Sequence, residues 1–287
     1  MRSNIFILMV FFIGFGTAAR DTQGESLDAE GTSSEITESK SLSHNRKPVK
    51  ISVSIAPQAF LLERIASSRV SVNTVIDEDL SPHHFNLTPR QMAEIVQSEY
   101  YFTLGLPMED RLEEKLTGID SKLEFFDITK GIERRIMGSS CEHQGCGSNH
   151  GSTDPHLWMN PKNMMQMAIN LREKLKSIDP RGKSVYREGC SDLCEELQTL
   201  HRELSQKLQR HRGEGIYVFH PAFGYFTDEY GLVQKAIQFQ GKEPSARQLS
   251  QLIRELRGKN IKVIFVQEQC TQRPASKLAP ALRARTD

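Results

Sequence analysis

The chain runs to 287 residues with 38% hydrophobic and 25% charged composition, which suits a soluble globular protein with room for two cores of ordinary size. Thirty-seven Lys and Arg against 36 Asp and Glu leave a net charge of +1. That balance excludes the strongly basic footprint of a nucleic-acid or anionic-membrane binder.

Residues 1–19 (MRSNIFILMVFFIGFGTAA) combine Arg2, an apolar run from Ile5 to Phe15, and the small residues Gly16 and Ala18 at the spacing a signal peptidase reads. The run falls short of the roughly 20 residues that span a bilayer. A cleaved signal peptide is therefore expected, with no membrane span once it is removed. The first cysteine is Cys141, too far along to carry a lipid anchor. Residues 20–47 are rich in Ser, Thr, Glu and Gly and almost free of large apolar side chains, so they are expected to form a disordered tether.

From Lys50 the pattern alternates. KISVSIAP (50–57) reads as a strand, FLLERIAS (60–67) as a helix and VSVNTVI (70–76) as a strand. TPRQMAEIVQSE (88–99) reads as a helix with Thr88 as N-cap and Pro89 at the first helical position. YYFTLG (100–105) is a strand, MEDRLEEKL (108–116) a helix and KLEFFDI (122–128) a strand. A second series follows, with IYVFHPAF (216–223) a strand, SARQLSQLIRELRGKN (245–260) a helix and IKVIFVQ (261–267) a strand. Between the two lies 182–212, where Leu193, Leu197, Leu200, Leu204 and Leu208 recur at helical spacing. The fold class is thus α/β: an N-terminal lobe over 48–181, a linking helix over 182–212 and a C-terminal lobe over 213–287, each lobe a parallel sheet flanked by helices.

In open parallel sheets, ligands bind beyond the carboxyl ends of the strands. Three histidines fall there: His83 in SPHHF, His156 in DPHLW and His220 in FHPAFGYF. Imidazole is the commonest metal-binding side chain, so the three could converge on one ion.

These segments also carry a family resemblance. SPHHF, DPHLWMNPKN, FHPAFGYFTDEYGL and GKEPSARQLSQLIRELRGKNIKVIFVQEQ, in this order over about 50–269, resemble the solute-binding proteins of zinc-uptake ABC transporters, the ZnuA/TroA-like family. The resemblance implies a periplasmic monomer that holds Zn²⁺ between two lobes and passes it to an ABC membrane permease. It places the metal ligands at His83, His156 and His220, with His84 at a variable position. Mn²⁺ is the alternative cargo, but members of the manganese type often have Glu at the third position, and a nitrogen set favours zinc.

The sequence departs from that pattern at two places. Pro221 and Phe223 replace the usual Asp and Tyr, so a hydrogen bond that orients a metal histidine is expected to be missing. The chain also stops at KLAPALRARTD, short of the L-D-P-L segment whose aspartate can be a fourth ligand, and an incomplete second lobe is expected. Asp287, Glu243 or water remain for the fourth place, Glu243 also fitting a helix N-terminal cap.

Where the family has a histidine-rich loop, this chain has MGSSCEHQGCGSNHGST. Cys141, His143, Cys146 and His150 admit an auxiliary soft-metal site, a Cys141–Cys146 disulfide or a plain loop. Cys190 and Cys194, one helical turn apart, read as packed thiols. A zinc hydrolase is the competing class, because three histidines and a water also make a catalytic set. Against it, the sequence has no HExxH motif and shows no Glu or Asp placed beside a ligand histidine as an evident base. No catalysis is expected.

Overall fold

The computed structural model describes residues 47–77, 85–117, 122–137 and 153–237, and beyond these only 245, 247, 250, 253–254, 263–265 and 285–286. The expected signal peptide and all of the expected tether but Lys47 lie outside the described residues.

The first sheet is built from β1 (Val49–Val53), β2 (Val70–Thr74), β3 (Tyr100–Thr103) and β4 (Glu124–Asp127), all parallel, in the order β2-β1-β3-β4. Its central strand, VKISV, is buried at every position but Lys50, as a β-branched strand covered on both faces should be. Helix α1 (Ala56–Ala66) begins four residues before the expected start at 60. The reason is Gln58, whose Oε1 accepts from the amides of Ser54 and Ile55 at 3.0 and 3.1 Å and so satisfies the first turn. Its amide nitrogen donates in turn to the Phe102 carbonyl at 2.7 Å, tying the helix start to β3.

Helix α2 (Pro89–Ile95) has the expected cap: Thr88 Oγ1 accepts from the Gln91 amide at 3.3 Å, and Gln91 Oε1 accepts from the Thr88 amide at 3.0 Å. Gln91 Nε2 also donates to the Val75 carbonyl at 2.9 Å, holding the helix start against the end of β2. The helix stops at Ile95, short of the expected 99, because its last turns tighten and the Glu99 amide leaves for the Lys50 carbonyl to open β3. Helix α3 (Pro107–Thr117) follows β3.

Helix α4 (Pro161–Ile178) leads through a 3-10 turn at Pro180–Gly182 into α5 (Lys183–Leu208), the long helix expected from the leucine stripe. At 26 residues it spans about 39 Å. Leu193, Leu197 and Leu204 are buried along with Tyr186 and Cys190, whereas Leu200 and Leu208 are half-buried. The stripe packs α5 against α1 and α4. Gly189 makes that approach close: a Cβ there would lie 2.6 Å from the Arg64 carbonyl oxygen and 2.7 Å from that of Ile65. The turn between α4 and α5 is fastened by Asp179, whose Oδ2 accepts from Arg69 Nε at 2.8 Å and from the Tyr186 hydroxyl at 2.6 Å.

Beyond α5 the second sheet pairs β5 (Gly215–Val218) with β6 (Val233–Ala236) in parallel. Helix α6 (Gly224–Tyr230), which links them, ends on Gly231 in the left-handed conformation at φ 70°. Val218 bridges to Phe265, which follows β7 (Val263–Ile264), and β7 pairs in parallel with β8 (Arg285–Thr286). Among the described residues the architecture is α/β: a four-stranded parallel sheet flanked by helices, one long helix, and beyond it the short parallel pairs β5–β6 and β7–β8. Among the described residues no helix is long and apolar enough to cross a membrane.

Candidate metal centre

His156 is delivered by a pinched loop. Ile136 and Thr153 form an antiparallel bridge, and the Asp154 amide donates to the Arg135 carbonyl at 2.9 Å, so 153 returns beside 136. His156 then enters the 3-10 turn Leu157–Met159, and Asn160 caps α4 by accepting from the Lys162 amide at 2.8 Å. These bonds place a 3%-exposed imidazole at a fixed point between the first sheet and α4.

Asp154 orients that ring. Its fully buried carboxylate accepts through Oδ1 from the His156 amide at 3.0 Å and from ring Nδ1 at 2.7 Å. Nδ1 therefore carries the proton, and Nε2 is left with its lone pair. Oδ2 accepts from Arg135 Nη1 at 3.0 Å, and Arg135 Nε reaches Asp228 Oδ2 on α6 at 2.9 Å. The Tyr225 hydroxyl, also on α6, donates to the Asp154 carbonyl and accepts from the Arg135 amide, both at 3.0 Å. Burial alone would raise the Asp154 carboxyl, but the hydrogen bonds from His156 and Arg135 hold it below the ordinary carboxylate range.

His220 comes from the other sheet, two residues past the end of β5. The Ala222 amide donates to its carbonyl at 2.8 Å, and the Phe223 amide donates to Gln234 Oε1 at 2.7 Å, closing the turn before α6. Gly224 opens that helix at a spot where a Cβ would run into the Arg135 guanidinium and come within 2.7 Å of Asp154 Oδ2. Pro221, standing where the resemblance expects Asp, has no side-chain acceptor to offer.

The two imidazoles meet edge to face, with Nε2 to Nε2 at 3.2 Å and ring centroids 5.1 Å apart. Because Asp154 fixes the His156 proton on Nδ1, His156 Nε2 is the acceptor of this contact and His220 Nε2 the donor. Two nitrogens bound to one tetrahedral zinc at 2.0–2.1 Å lie about 3.3 Å apart. The pair thus already has the spacing of one edge of such a site, and a metal ion would replace the shared proton.

The sequence reading named both histidines but missed what surrounds them. It found no Glu or Asp placed as an evident base beside an expected ligand histidine, and it gave no role to Asp154, two residues ahead of His156. Asp154 sits on the Nδ1 side, away from the converging Nε2 atoms, and is engaged by His156 and Arg135, so it orients the ring and is not set up to deprotonate a water between the two Nε2 atoms. The D-x-H spacing was the available signal; Arg135 and Tyr225 left none, being distant in sequence. His83, His84, Cys141, His143, Cys146, His150, Glu243 and Asp287 all lie outside the described residues. Among the described residues no three His, Cys, Asp or Glu side chains are grouped to hold a metal.

Known proteins share this arrangement of elements. ZnuA of Bacillus subtilis strain 168, a high-affinity zinc uptake system protein, is 26% identical over 239 residues, which is 80% of this chain and 74% of its own. A manganese ABC transporter substrate-binding lipoprotein, PsaA of Streptococcus anginosus, is 24% identical over 227 residues, 75% of this chain and 71% of its own. A crystal structure of ZnuA superimposes with a TM-score of 0.74 at 30% identity, covering 83% of this chain and 89% of that one. A zinc-bound ZnuA lacking its residues 138–173 gives 0.73 at 29% identity, covering 84% and 89%. The family model for the zinc-uptake complex component A, periplasmic, matches residues 51–286, and the chain belongs to that family.

Proposed function

We propose that this chain captures Zn²⁺ at a three-imidazole site formed by His83, His156 and His220 and delivers it to an ABC membrane permease. The single observation that carries the reading is the pair of Nε2 atoms 3.2 Å apart, one from each sheet, with the His156 tautomer set by Asp154. His83 supplies the third nitrogen from the loop after β2, and a water or a further oxygen ligand completes a tetrahedron. Nitrogen donors favour zinc over manganese, which prefers oxygen; the likeness to a manganese-binding lipoprotein keeps Mn²⁺ as the alternative cargo.

The protein works as a monomeric carrier, exported by cleavage after residue 19, with an N-terminal lobe over 48–181, the linking helix over 182–212 and a C-terminal lobe over 213–287. It is not a catalyst: a carrier needs its ligand saturated and then released, and docking on the permease achieves release by favouring a state with poorer coordination. The test is elemental analysis of the purified mature chain with His83, His156 and His220 changed to Ala one at a time. Bound zinc should fall to background in each variant and stay unchanged in His84→Ala. Zinc stoichiometry untouched by all three, or zinc-dependent ester or peptide hydrolysis, contradicts the reading.

A further inference from the structure

The guanidinium of Arg135 lies where the two histidine-bearing segments meet. Its Nη1 donates to Asp154 Oδ2 at 3.0 Å and its Nε to Asp228 Oδ2 at 2.9 Å, so one planar group holds two carboxylates at once. Asp154 is the residue that orients His156 through Nδ1. Asp228 stands on α6, the helix that opens four residues after His220. The Arg135 backbone is pinned to the same two segments. Its carbonyl accepts from the Asp154 amide at 2.9 Å, and its amide donates to the Tyr225 hydroxyl of α6 at 3.0 Å.

The bland role for Arg135 is to neutralise a buried charge. Its side chain is 11% exposed and Asp154 is fully buried, so a cation there is needed to compensate the carboxylate, and a lysine would serve. Two features go beyond that need. The guanidinium turns its second edge to Asp228, which is 60% exposed and, being solvated already, gains little from an ion pair. Gly224, in the first turn of α6, has no side chain and lets the guanidinium rest against the helix; a Cβ there would run into Arg135 and lie 2.7 Å from Asp154 Oδ2. Both features fix where α6 sits against the His156 loop, and hence where His220 sits against His156.

The geometry points to Arg135 as a positioning residue of the metal centre, one that makes tight zinc coordination conditional on α6 being seated against the His156 loop. The inference rests on the zinc-carrier reading above. With α6 seated, Arg135 holds Asp154, Asp154 holds the Nδ1 proton of His156, and the two Nε2 atoms stand 3.2 Å apart. When α6 lifts, His220 leaves with it, and Asp228 and Tyr225 let go of Arg135. The support of the remaining imidazole then loosens in the same movement. A carrier gains from this a release step in which one displacement removes one ligand and weakens another.

The test follows release of zinc from the loaded full chain into an excess of a chromophoric chelator, with the urea midpoint of the zinc-free chain measured beside it. Arg135→Lys keeps the charge beside Asp154 but cannot hold both carboxylates. Gly224→Ala leaves every charge in place and puts a methyl between Arg135 and α6. Each should release zinc about 10-fold faster, the lower end of what loss of a group supporting a metal ligand costs. Asp228→Ala, at an exposed position where the fold is safe, should quicken release by about 2- to 5-fold, and it decides if neither of the others folds. Arg69→Lys is the control: it weakens a comparable ion pair with buried Asp179, at the turn between α4 and α5, and should lower the urea midpoint without changing release. Release at the parent rate in Arg135→Lys or Gly224→Ala, or equal acceleration in Arg69→Lys, would overturn the proposal. The zinc content of His156→Ala separates the two claims. Loaded like the parent, that variant removes the carrier reading and this inference with it; empty, with parent-like release in Arg135→Lys, it removes only the role of Arg135.

Discussion

At the scale of single residues, two buried carboxylates do opposite things. Asp154 is held charged between His156 and Arg135 and sets the His156 tautomer. Asp154→Asn keeps the shape but presents an amide that can donate to Nδ1, which favours the wrong tautomer. Zinc affinity should fall about 10- to 100-fold, read by competition with a chromophoric chelator; unchanged affinity would show that Asp154 does not orient the ligand. Glu109, 1% exposed, lies where β1 and β3 diverge. Its Oε2 accepts from the amides of Leu104, Gly105 and Leu106 at 2.7–2.9 Å, and Oε1 contacts the Ser54 hydroxyl.

Burial raises the Glu109 carboxyl, against the hydrogen bonds from Ser54 and those amides. A carboxyl raised on folding contributes stability that is full below its ordinary value of 4.5 and is lost as pH rises through its folded value. Glu109→Gln mimics the protonated form, its oxygen facing the three amides and its NH₂ facing Ser54. Denaturant unfolding should show equal stability at low pH and a variant that no longer weakens as pH rises. A variant less stable than the parent at neutral pH would mean that the ionised carboxylate is the stabilising form. Neither carboxylate stood out in the sequence, where Asp154 was part of a motif and Glu109 part of an ordinary amphipathic helix.

At the scale of elements, the sequence revealed most strands and helices, and the misplaced boundaries have local causes. Thr88 with Pro89 announced the start of α2, since a hydroxyl before a proline is both an acceptor and a helix opener. Gln58 announced nothing, because a glutamine that folds back on the amides before its own helix looks like any other polar residue. α6 also went unread, since GYFTDEY offers only two turns and its burial comes from Arg135 and Asp154 across the site. Helix contacts were equally hidden: Gly189 in the middle of α5 looks like a weak point, and replacement by Ala should gain about 1 kcal/mol from propensity alone. The Arg64 and Ile65 carbonyls that its Cβ would meet belong to backbone and cannot rotate away. Overpacking of that kind costs about 1–3 kcal/mol, so Gly189→Ala should lower the urea midpoint with unchanged m-value. A higher midpoint would mean that α1 and α5 separate without cost.

At the scale of the whole molecule, the parallel α/β layout and the long connecting helix were legible because periodicity alternated cleanly and the leucines of α5 repeat. The histidine pair was legible from two short motifs, whereas its geometry was not, since 64 residues separate His156 from His220 and only the fold brings them together. With one imidazole at the edge of each sheet, a metal held by the proposed site would bind the folded arrangement and not the open chain. Zinc should therefore raise the unfolding temperature by mass action. The gain should shrink as pH falls and the imidazoles protonate. Zinc K-edge absorption of the loaded mature chain tests the central claim most directly. Three imidazole nitrogens at about 2.0–2.1 Å are expected in the parent and in His84→Ala, with the bound-zinc signal itself lost in His83→Ala. A sulfur shell at about 2.3 Å, or a spectrum unchanged by His156→Ala and His220→Ala, would contradict it.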